Sequence, residues 1–349
     1  MRPKQMNKVK PVILITKMDG GGMETFCLNL LRAWGENGID ATLYTSYLGG
    51  AREQEISPDI EHVSWNLRAR KSFWKLAQWL NSRPEDPCLA LSQELAVILL
   101  VLKKFRLIRN RIYFRESTDV KHHYGRLFKR IMRWLWPSLD GIVEQSRTGL
   151  NETLGICNGR LPKSLVVRNI QSQVNGDMRF SVQGECRRLA CIGSFKPMKG
   201  QHFLVEQLLS DDSSDWRLVF WGDGERRGEV EKFVAEHGLS ERISFCDWTA
   251  EVTKAYERCD IVVISSDYEG LPNVMLEAIL HGKRVSVRPT CTGACELMDE
   301  IGLGVSWPWR KALEIPEKDW IVARDRLLEL CDPKTVSSGI LGFMSSVNE

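Results

Sequence analysis

The sequence lacks the features of a membrane-spanning or secreted protein. Its longest purely apolar run, LAVILLVL at 95–102, has eight residues, whereas a helix that spans a bilayer needs about 20. This run is therefore predicted to be a buried strand or helix. The first residues, MRPKQMNKVKPVILIT, carry positive charges, but their apolar part is short and no small-residue cleavage site follows it. A signal peptide is therefore not expected, and we predict a cytoplasmic protein.

The sequence also lacks a cysteine pattern that would indicate disulfides or zinc. Its ten cysteines are scattered without a CxxC pair, and the closest two are Cys291 and Cys295, in CTGAC. A reducing compartment disfavours disulfides, and no spacing matches a set of metal ligands. We therefore predict reduced, partly buried thiols without a functional role.

Composition and charge indicate a globular chain with two different halves. Of 349 residues, 43% are hydrophobic and 27% are charged, which is typical of a globular protein with a sizeable core. This length predicts two domains. The net charge of +3 divides into +11 for residues 1–170 and −8 for residues 171–349. Such an asymmetry is expected for two domains that face different partners.

The first half opens with a pattern that predicts a strand, a glycine turn and a helix. An apolar run at 12–15 is followed by Gly20, Gly21 and Gly22, and then by a helical pattern that ends at Asn37-Gly38 before another strand-like run. This order is typical of a βαβ unit. The glycines either let backbone N–H groups approach an anion at the helix start or simply form the turn.

A polar stretch at 171–188, QSQVNGDMRFSVQGECRR, interrupts the alternating pattern and is predicted to be a linker. Strand and helix patterns then alternate again from RLACIGS to KRVSVRP. Strands separated by helices form parallel sheets that are covered on both faces. We therefore predict an α/β fold of two tandem Rossmann-like domains, over 1–170 and 189–325, with a tail or helix at 326–349. Because ligands bind beyond the carboxyl ends of parallel strands, two facing sheets would form an interdomain cleft.

Charged residues follow two of the predicted strands in the second half. Lys196 and Lys199 occur in SFKPMKG, while YEGLPNVMLEA contains Glu269 in a loop and Glu277 in a helix predicted over 272–281. A carboxylate in that mostly apolar helix needs hydrogen bonds if it is buried, and adjacent ribose hydroxyls would supply them. Free N–H groups at the helix start, with Lys199 nearby, suit a diphosphate. The alternative interpretation is an ordinary solvated helix residue and a loop acid.

Residues 189–300 resemble the donor-binding half of retaining glycosyltransferases with two Rossmann domains, the GT-B type of glycosyltransferase family four. The matching segments are IGSFKPMKG, LVFWGDGE, ISFCDW and CDIVVISSDYEGLPNVMLEAILHGKRVSV, followed by Glu296. The first half resembles this family more loosely, through GGMETFCLNLLRAWGENGIDATLYT and LDGIVEQSRTGLNETLG.

The resemblance implies a donor site in which Lys199 neutralises a diphosphate, Glu269 contacts the transferred sugar near its anomeric carbon, and Glu277 binds the ribose. Breaking the sugar–phosphate bond develops negative charge on the diphosphate and positive charge on the sugar, so a fixed cation and a nearby carboxylate would stabilise both. The predicted catalytic residues are Glu269 and Lys199. The predicted nucleotide-sugar contacts are Glu277, Gly270, Leu271, Asn273, Ser194, Lys196, Gly21, Gly22 and Trp248.

Some of these assignments have alternatives or depart from the family pattern. Trp248 would stack on the base or, equally, be a buried tryptophan. Ser194 stands where the family usually has an arginine, so Lys196 compensates for it or the phosphate clamp is weaker. Arg115 and Glu116 stand where the family often has a histidine, and they either contact the acceptor or form a surface ion pair. The sequence contains no D-x-D motif, so neither a metal ion nor another cofactor is implied.

The segment YGRLFKRIMRWLW predicts a basic amphipathic helix over 121–136. Its cations recur at helical spacing on one face, and its apolar residues lie on another. Such a helix either lies on an anionic membrane or is a solvated basic face over core-packing aromatics. The cations are Arg126, Lys129, Arg130 and Arg133, and the apolar residues are Leu127, Ile131, Trp134 and Leu135. No nucleic-acid-binding module is recognised.

We therefore predict a retaining hexosyltransferase that uses a nucleotide diphosphate sugar as donor. Its acceptor is predicted to be a glycan or lipid-linked glycan at the cytoplasmic face of the inner membrane, in bacterial lipopolysaccharide, O-antigen or exopolysaccharide synthesis. Two alternatives are a nucleotide-sugar epimerase of the same fold, which would convert the donor without an acceptor, and a non-catalytic nucleotide-binding scaffold, which would bind the nucleotide without any turnover.

Overall fold

The computed structural model describes residues 10–171, 180, 182, 187–211, 215–247, 249 and 253–346. The chain divides into two compact units, one formed by Met1–Ile170 with Cys331–Glu349 and the other by Gln171–Leu330. Most of the predicted linker at 171–188 lies outside the described residues, so its conformation stays a prediction.

The first unit contains a seven-stranded sheet in which every neighbouring pair of strands is parallel. The strands are β1 (Val12–Ile15), β2 (Thr42–Thr45), β3 (Glu61–Ser64), β4 (Cys88–Ala90), β5 (Ile112–Arg115), β6 (Gly141–Glu144) and β7 (Ser164–Val166), in the spatial order β3-β2-β1-β4-β5-β6-β7. The helices are α1 (Gly22–Glu36), α2 (Phe73–Asn81), α3 (Gln93–Lys104), α4 (Val120–His123), α5 (Arg126–Leu135) and α6 (Arg147–Ile156). The apolar run at 95–102 is therefore helical.

Helices cover both faces of this sheet, as its apolar strands require. Successive residues of β1 point to opposite faces: Ile13 packs with Trp34 of α1, and Leu14 packs with Leu76 of α2 and Leu99 of α3. Because α5 contributes Met132 to the second of these clusters, helices α2, α3 and α5 form one layer on that face.

The predicted continuous helix over 121–136 is wrong, because Tyr124 and Gly125 separate α4 from α5. The Asp119 side chain caps α4 by accepting a hydrogen bond from the His122 N–H at 2.9 Å. Tyr124 is extended, with ψ of 129°, and this places its hydroxyl 2.9 Å from Glu116 Oε2. The hydrogen bond that Tyr124 donates to this buried acid accounts for the break.

The second unit contains a five-stranded parallel sheet in the order β10-β9-β8-β11-β12. Its strands are β8 (Arg187–Ile192), β9 (Trp216–Trp221), β10 (Ile243–Cys246), β11 (Ile261–Ile264) and β12 (Arg284–Val287). Its helices are α7 (Gln201–Leu209), α8 (Arg227–Glu236), α9 (Thr253–Glu257), α10 (Asn273–Leu280), α11 (Thr292–Glu300), α12 (Lys311–Glu314) and α13 (Glu317–Cys331). The predicted α/β fold with two tandem parallel sheets is confirmed.

Helix α14 (Pro333–Ser345) completes the first unit. The Asp332 carboxylate caps it by accepting a hydrogen bond from the Thr335 N–H at 2.7 Å. Against this helix, Trp34 Nε1 donates to the Ser337 carbonyl at 3.1 Å and the Tyr113 hydroxyl donates to the Met344 carbonyl at 3.0 Å. The segment predicted from the sequence as a tail or helix thus contains a helix that belongs to the first unit.

Ile340→Ala should destabilise the first unit by about 2–4 kcal/mol, because it leaves a cavity in a closely packed core. Ile340 is fully buried in the cluster that contains α1. Chemical denaturation, monitored by tryptophan fluorescence, measures the change in the free energy of unfolding. The control is Ser338→Ala, at an exposed position of the same helix; equal stability of the two variants would show that α14 does not support this core.

Among the described residues, no helix combines the length and hydropathy that a membrane span requires.

Candidate active site

The order of the strands predicts where the second unit binds a ligand. From β8 the chain builds outward through β9 and β10, and it then returns to place β11 on the other side of β8. Open parallel sheets bind ligands beyond the carboxyl ends of their strands at such a reversal point. The loops that follow β8 and β11, residues 193–200 and 265–272, therefore border the candidate site.

These two loops are in direct contact at Gly200. This residue has φ of 66°, and a Cβ built on it would lie 2.1 Å from the Ser265 carbonyl oxygen. The Ser265 hydroxyl donates a hydrogen bond to the Lys199 carbonyl at 2.8 Å. Only glycine fits this position without strain, and the contact fixes the backbone of Lys199 beside the loop that carries Glu269.

Lys199 and Glu269, which are 70 residues apart in sequence, form an ion pair. The Lys199 Nζ lies 2.5 Å from Glu269 Oε1, and both side chains are largely shielded, with 23% and 19% exposure. The Ser266 hydroxyl donates to the other carboxylate oxygen, Oε2, at 2.9 Å. The structure thus brings the two predicted catalytic residues together, with each charge neutralising the other.

The loop after β8 also carries two predicted phosphate contacts, Ser194 and Lys196. The Ser194 carbonyl accepts a hydrogen bond from Gln201 Nε2 at 3.0 Å, which holds the loop against the start of α7. Lys196 is exposed, and among the described residues no carboxylate pairs with it. It therefore provides a second cation in this loop, close in sequence to Ser194.

Helix α10 begins at Asn273, one residue later than predicted, with Pro272 as its N-cap. The end of the helix agrees with the prediction from the sequence. The C-cap is His281, and Gly282 follows it with φ of 68°. Gly270 and the buried Leu271 link Glu269 to this helix. Because first-turn N–H groups of a helix lack intrahelical acceptors, the helix start beside Glu269 is suited to an anion.

Glu277, in the middle of α10, accepts a hydrogen bond from a tyrosine that the sequence did not single out. The Tyr256 hydroxyl donates to Glu277 Oε2 at 2.8 Å. Burial, and after it the charge of Glu277, raise the pKa of Tyr256 well above its ordinary value. The hydroxyl therefore keeps its proton and remains a donor.

In the first unit, the glycine loop leads into α1, with Gly21 as the N-cap. A Cβ on Gly21 would lie 2.7 Å from Glu24 Oε2, so the Glu24 carboxylate folds back over the helix start. Burial raises the pKa of Glu24. An anion bound at Gly21 and Gly22 would therefore contact the Glu24 side chain. The role of these two glycines stays a prediction.

Arg115 and Glu116 are both buried rather than at the surface. Arg115 donates a hydrogen bond to the Asn169 side chain and stacks on Phe26, with its Cζ 3.7 Å from the ring centroid. Burial lowers the pKa of Arg115 to about 9. Glu116 Oε1 accepts hydrogen bonds from the backbone N–H groups of Ser117 and Thr118, both at 3.0 Å. Contact of Arg115 and Glu116 with an acceptor stays a prediction.

Glu144 joins this buried group, and the sequence analysis missed it. It is the last residue of β6, and its Oε1 accepts a hydrogen bond from the Thr153 hydroxyl at 2.7 Å. Burial, and after it the neighbouring Glu116, raise the pKa of Glu144 well above its usual range. The only sequence signal was a carboxylate in the otherwise apolar GIVE.

Trp248 lies outside the described residues, so its contact with a base stays a prediction. Next to it, Asp247 pairs with Arg227 on α8, whose Nη1 lies 2.6 Å from Asp247 Oδ1. This cation follows β9 by six residues. It was not singled out from the sequence.

The chain is similar in sequence to known glycosyltransferases. Residues 186–315 match the family Glycosyl transferases group 1. The amylovoran biosynthesis glycosyltransferase AmsD of Erwinia amylovora is 21% identical over 306 residues, which cover 85% of this chain and 86% of AmsD. The lipopolysaccharide core biosynthesis glycosyltransferase LpsE of Rhizobium meliloti is 32% identical over 96 residues, 27% of each chain.

Solved structures resemble this chain in fold over nearly its whole length. HepE of Anabaena in complex with UDP superposes with a TM-score of 0.78 at 18% identity, covering 97% of this chain and 100% of HepE. The apo form of the lipopolysaccharide outer core galactosyltransferase WaaB superposes with a TM-score of 0.74 at 16% identity, covering 95% and 99% of the two chains.

Two parallel-sheet α/β units define a fold of the GT-B type. Within the second unit, residues 186–315 match the Glycosyl transferases group 1 family, and with the similarity to named glycosyltransferases this shows that the protein is a glycosyltransferase. The predicted enzyme class is therefore confirmed, and neither the epimerase nor the non-catalytic scaffold is favoured.

Proposed function

We propose that this enzyme transfers a hexose from a nucleoside diphosphate sugar to a glycan or lipid-linked glycan, with retention of configuration at the anomeric carbon. The observation that carries the proposal is the Lys199–Glu269 ion pair, at the reversal point of the second sheet and beside the start of α10. The biological setting we propose is the assembly of a bacterial surface polysaccharide, because relatives are named for amylovoran and lipopolysaccharide core biosynthesis.

The ion pair supplies both charges that the reaction needs. When the bond between the anomeric carbon and the diphosphate oxygen breaks, its electron pair leaves with the diphosphate. Lys199 and the N–H groups of Gly270, Leu271 and Asn273 stabilise that negative charge, while Glu269 stabilises the positive charge on the sugar. The acceptor oxygen then bonds to the same face of the sugar, and its proton passes to the departing diphosphate.

Donor binding exchanges the partner of Lys199. Before binding, Glu269 Oε1 neutralises the Lys199 ammonium at 2.5 Å. A diphosphate carries more negative charge than one carboxylate, so it takes over the ammonium, while Ser266 continues to hold Glu269 Oε2. This exchange frees one carboxylate oxygen for the sugar. Because Lys199 and Lys196 supply the cationic charge, metal independence stays part of the prediction.

The nucleobase we propose is uracil, because HepE was solved with UDP and with UDP-glucose.

A panel of UDP- and GDP-hexoses tests the function directly. The full-length protein is incubated with each donor, and NMR follows the release of free sugar and the configuration of its anomeric proton. We expect one donor to be consumed slowly without acceptor and faster with lipid-linked glycan extracted from membranes.

Three outcomes of this assay would contradict the proposal. Inversion at the anomeric carbon would exclude a retaining transferase. Interconversion of the donor in the absence of an acceptor would favour the epimerase. Donor binding without consumption of any donor, even with membrane extract, would favour a nucleotide-binding scaffold.

The acceptor we propose lies at an anionic membrane surface, and the helix layer of the first unit supports this proposal. Helices α2, α3 and α5 together carry seven lysines and arginines but a single acid, Glu94. The same layer exposes Trp74 of α2 by 70%, Leu127 of α5 by 72% and Trp134 of α5 by 53%. Cations beside exposed aromatic and aliphatic side chains are typical of a helix layer that binds lipid headgroups.

Trp134→Ala combined with Arg130→Glu should weaken binding to anionic vesicles about tenfold, because it removes an inserted ring and reverses a charge. Co-sedimentation with phosphatidylglycerol vesicles, compared with pure phosphatidylcholine vesicles, measures the change. The control is Val322→Ala on α13, which is exposed to a similar degree, 50%. Equal binding of wild type to both vesicle types would contradict the membrane contact without affecting the transferase.

A further inference from the structure

A buried tyrosine contacts the carboxylate of Glu277, and a histidine packs against that tyrosine. Tyr256, on α9, is only 1% exposed, and its hydroxyl donates to Glu277 Oε2 at 2.8 Å. The ring of His281 stacks on the ring of Tyr256, with centroids 4.6 Å apart and planes 28° apart. His281 Nδ1 lies 2.7 Å from the Glu277 backbone carbonyl. Since a carbonyl oxygen only accepts hydrogen bonds, this nitrogen is the donor.

The hydrogen bond from Tyr256 holds one oxygen of the Glu277 carboxylate and leaves the other available. Among the residues that the structure describes, the Tyr256 hydroxyl is the one donor that contacts the Glu277 side chain, and it contacts only Oε2. Glu277 itself is partly exposed, although the α10 residues beside it, Leu276 and Ala278, are fully buried. The second oxygen, Oε1, is therefore free to accept a hydrogen bond from a ligand.

We propose that Tyr256 is a positioning residue that orients Glu277 toward a ribose hydroxyl and thereby sets the preference of the enzyme for ribonucleotide donors. The proposal rests on the proposed function, because it takes Glu277 as the ribose ligand. A carboxylate on an α-helix rotates about three side-chain bonds, and a fixed hydrogen bond to one oxygen removes most of that freedom before the donor arrives. His281 in turn prevents the phenol ring from rotating away.

The arrangement differs from that of a tyrosine that only fills a core. Tyr113 in the first unit provides the comparison, because it is equally buried and its hydroxyl donates to a backbone carbonyl, that of Met344, at 3.0 Å. Tyr256 instead donates to the one acid of α10, and the burial that surrounds it keeps its hydroxyl protonated. Replacing Tyr256 by phenylalanine preserves the ring and its stacking on His281 but removes the hydrogen bond.

The test measures how strongly the full-length enzyme distinguishes UDP from its 2′-deoxy and 3′-deoxy analogues. In wild type, we expect at least one analogue to bind about tenfold more weakly than UDP, because a hydrogen bond to a charged group is lost. Tyr256→Phe should weaken UDP binding about tenfold and leave the binding of that analogue nearly unchanged, so that the preference disappears. In the transfer reaction, the same variant should raise KM and leave kcat within about twofold.

Tyr113→Phe is the matched control, and it should retain the wild-type preference for UDP. Glu277→Ala should abolish the preference whether or not Tyr256 is present. The inference is overturned if Tyr256→Phe binds UDP more weakly but still distinguishes it from both analogues, or if wild type binds UDP without distinguishing them. Failure of the proposed function gives different results: wild type that binds none of the three nucleotides would contradict the uridine donor, and absence of transfer with the preference intact would contradict the proposed reaction alone.

Discussion

Lys199→Ala is expected to lower kcat about 100- to 1,000-fold, the loss found when one preorganised charge-stabilising group is removed from an active site. The Lys199 ammonium lies 2.5 Å from Glu269 Oε1. Lys199 directly precedes Gly200, whose contact with Ser265 fixes the backbone of the loop. Removing the ammonium leaves the departing diphosphate without its nearest cation. Initial rates of transfer, measured at saturating donor with NMR or labelled sugar, give the change in kcat.

Two other lysines show whether the effect is specific. Lys196→Ala changes an exposed cation in the same loop and should cost tenfold or less. Lys232→Ala removes an ammonium on α8 whose side chain is 76% exposed, and it should leave transfer unchanged. Equal rates for Lys199→Ala and Lys232→Ala would refute the role assigned to the ion pair.

Glu269→Gln is expected to separate binding from chemistry. The substitution removes the charge that competes with the diphosphate for Lys199, so the variant should bind UDP several-fold more tightly than wild type. It also removes the carboxylate that stabilises positive charge on the sugar, so kcat should fall about 100- to 1,000-fold. Calorimetry with UDP and initial-rate kinetics measure the two effects separately.

The double variant tests whether the two residues act as one unit. Because Lys199 and Glu269 contact each other, the losses in the Lys199→Ala, Glu269→Gln enzyme should be smaller than the product of the single losses. Strictly multiplicative losses would show two independent roles. Weaker UDP binding by Glu269→Gln would show instead that the carboxylate supports the nucleotide directly.

The sequence predicts the sheets well and the contacts between distant segments poorly. The alternation of apolar strand and helix patterns is local, and it was sufficient for both parallel sheets and for the end of α10 at Gly282. No local pattern could predict that Lys199 and Glu269 form an ion pair, because their contact depends on how two loops meet at the reversal point. The same limitation explains why Tyr256 was missed, since its role comes from contact with another helix.

Errors within single segments had a different origin. The cations of 121–136 recur at helical spacing, and that periodicity concealed the break at Tyr124 and Gly125. The break arises because a buried acid, Glu116, accepts a hydrogen bond from Tyr124, which is a tertiary requirement. Glu144 was missed because one carboxylate in an apolar strand gives no pattern. Its burial, which raises its pKa, is visible only in the folded structure.

The place of α14 in the first unit has a consequence for the synthesis of this protein. A ribosome adds about 5–20 residues per second, so the stretch from Ile170 to Ser345 takes about 9 to 35 seconds to be made. During that interval Trp34 and Tyr113 have emerged without the carbonyl groups of α14 to which they donate hydrogen bonds. The first unit therefore completes its core only after the second unit has been synthesised.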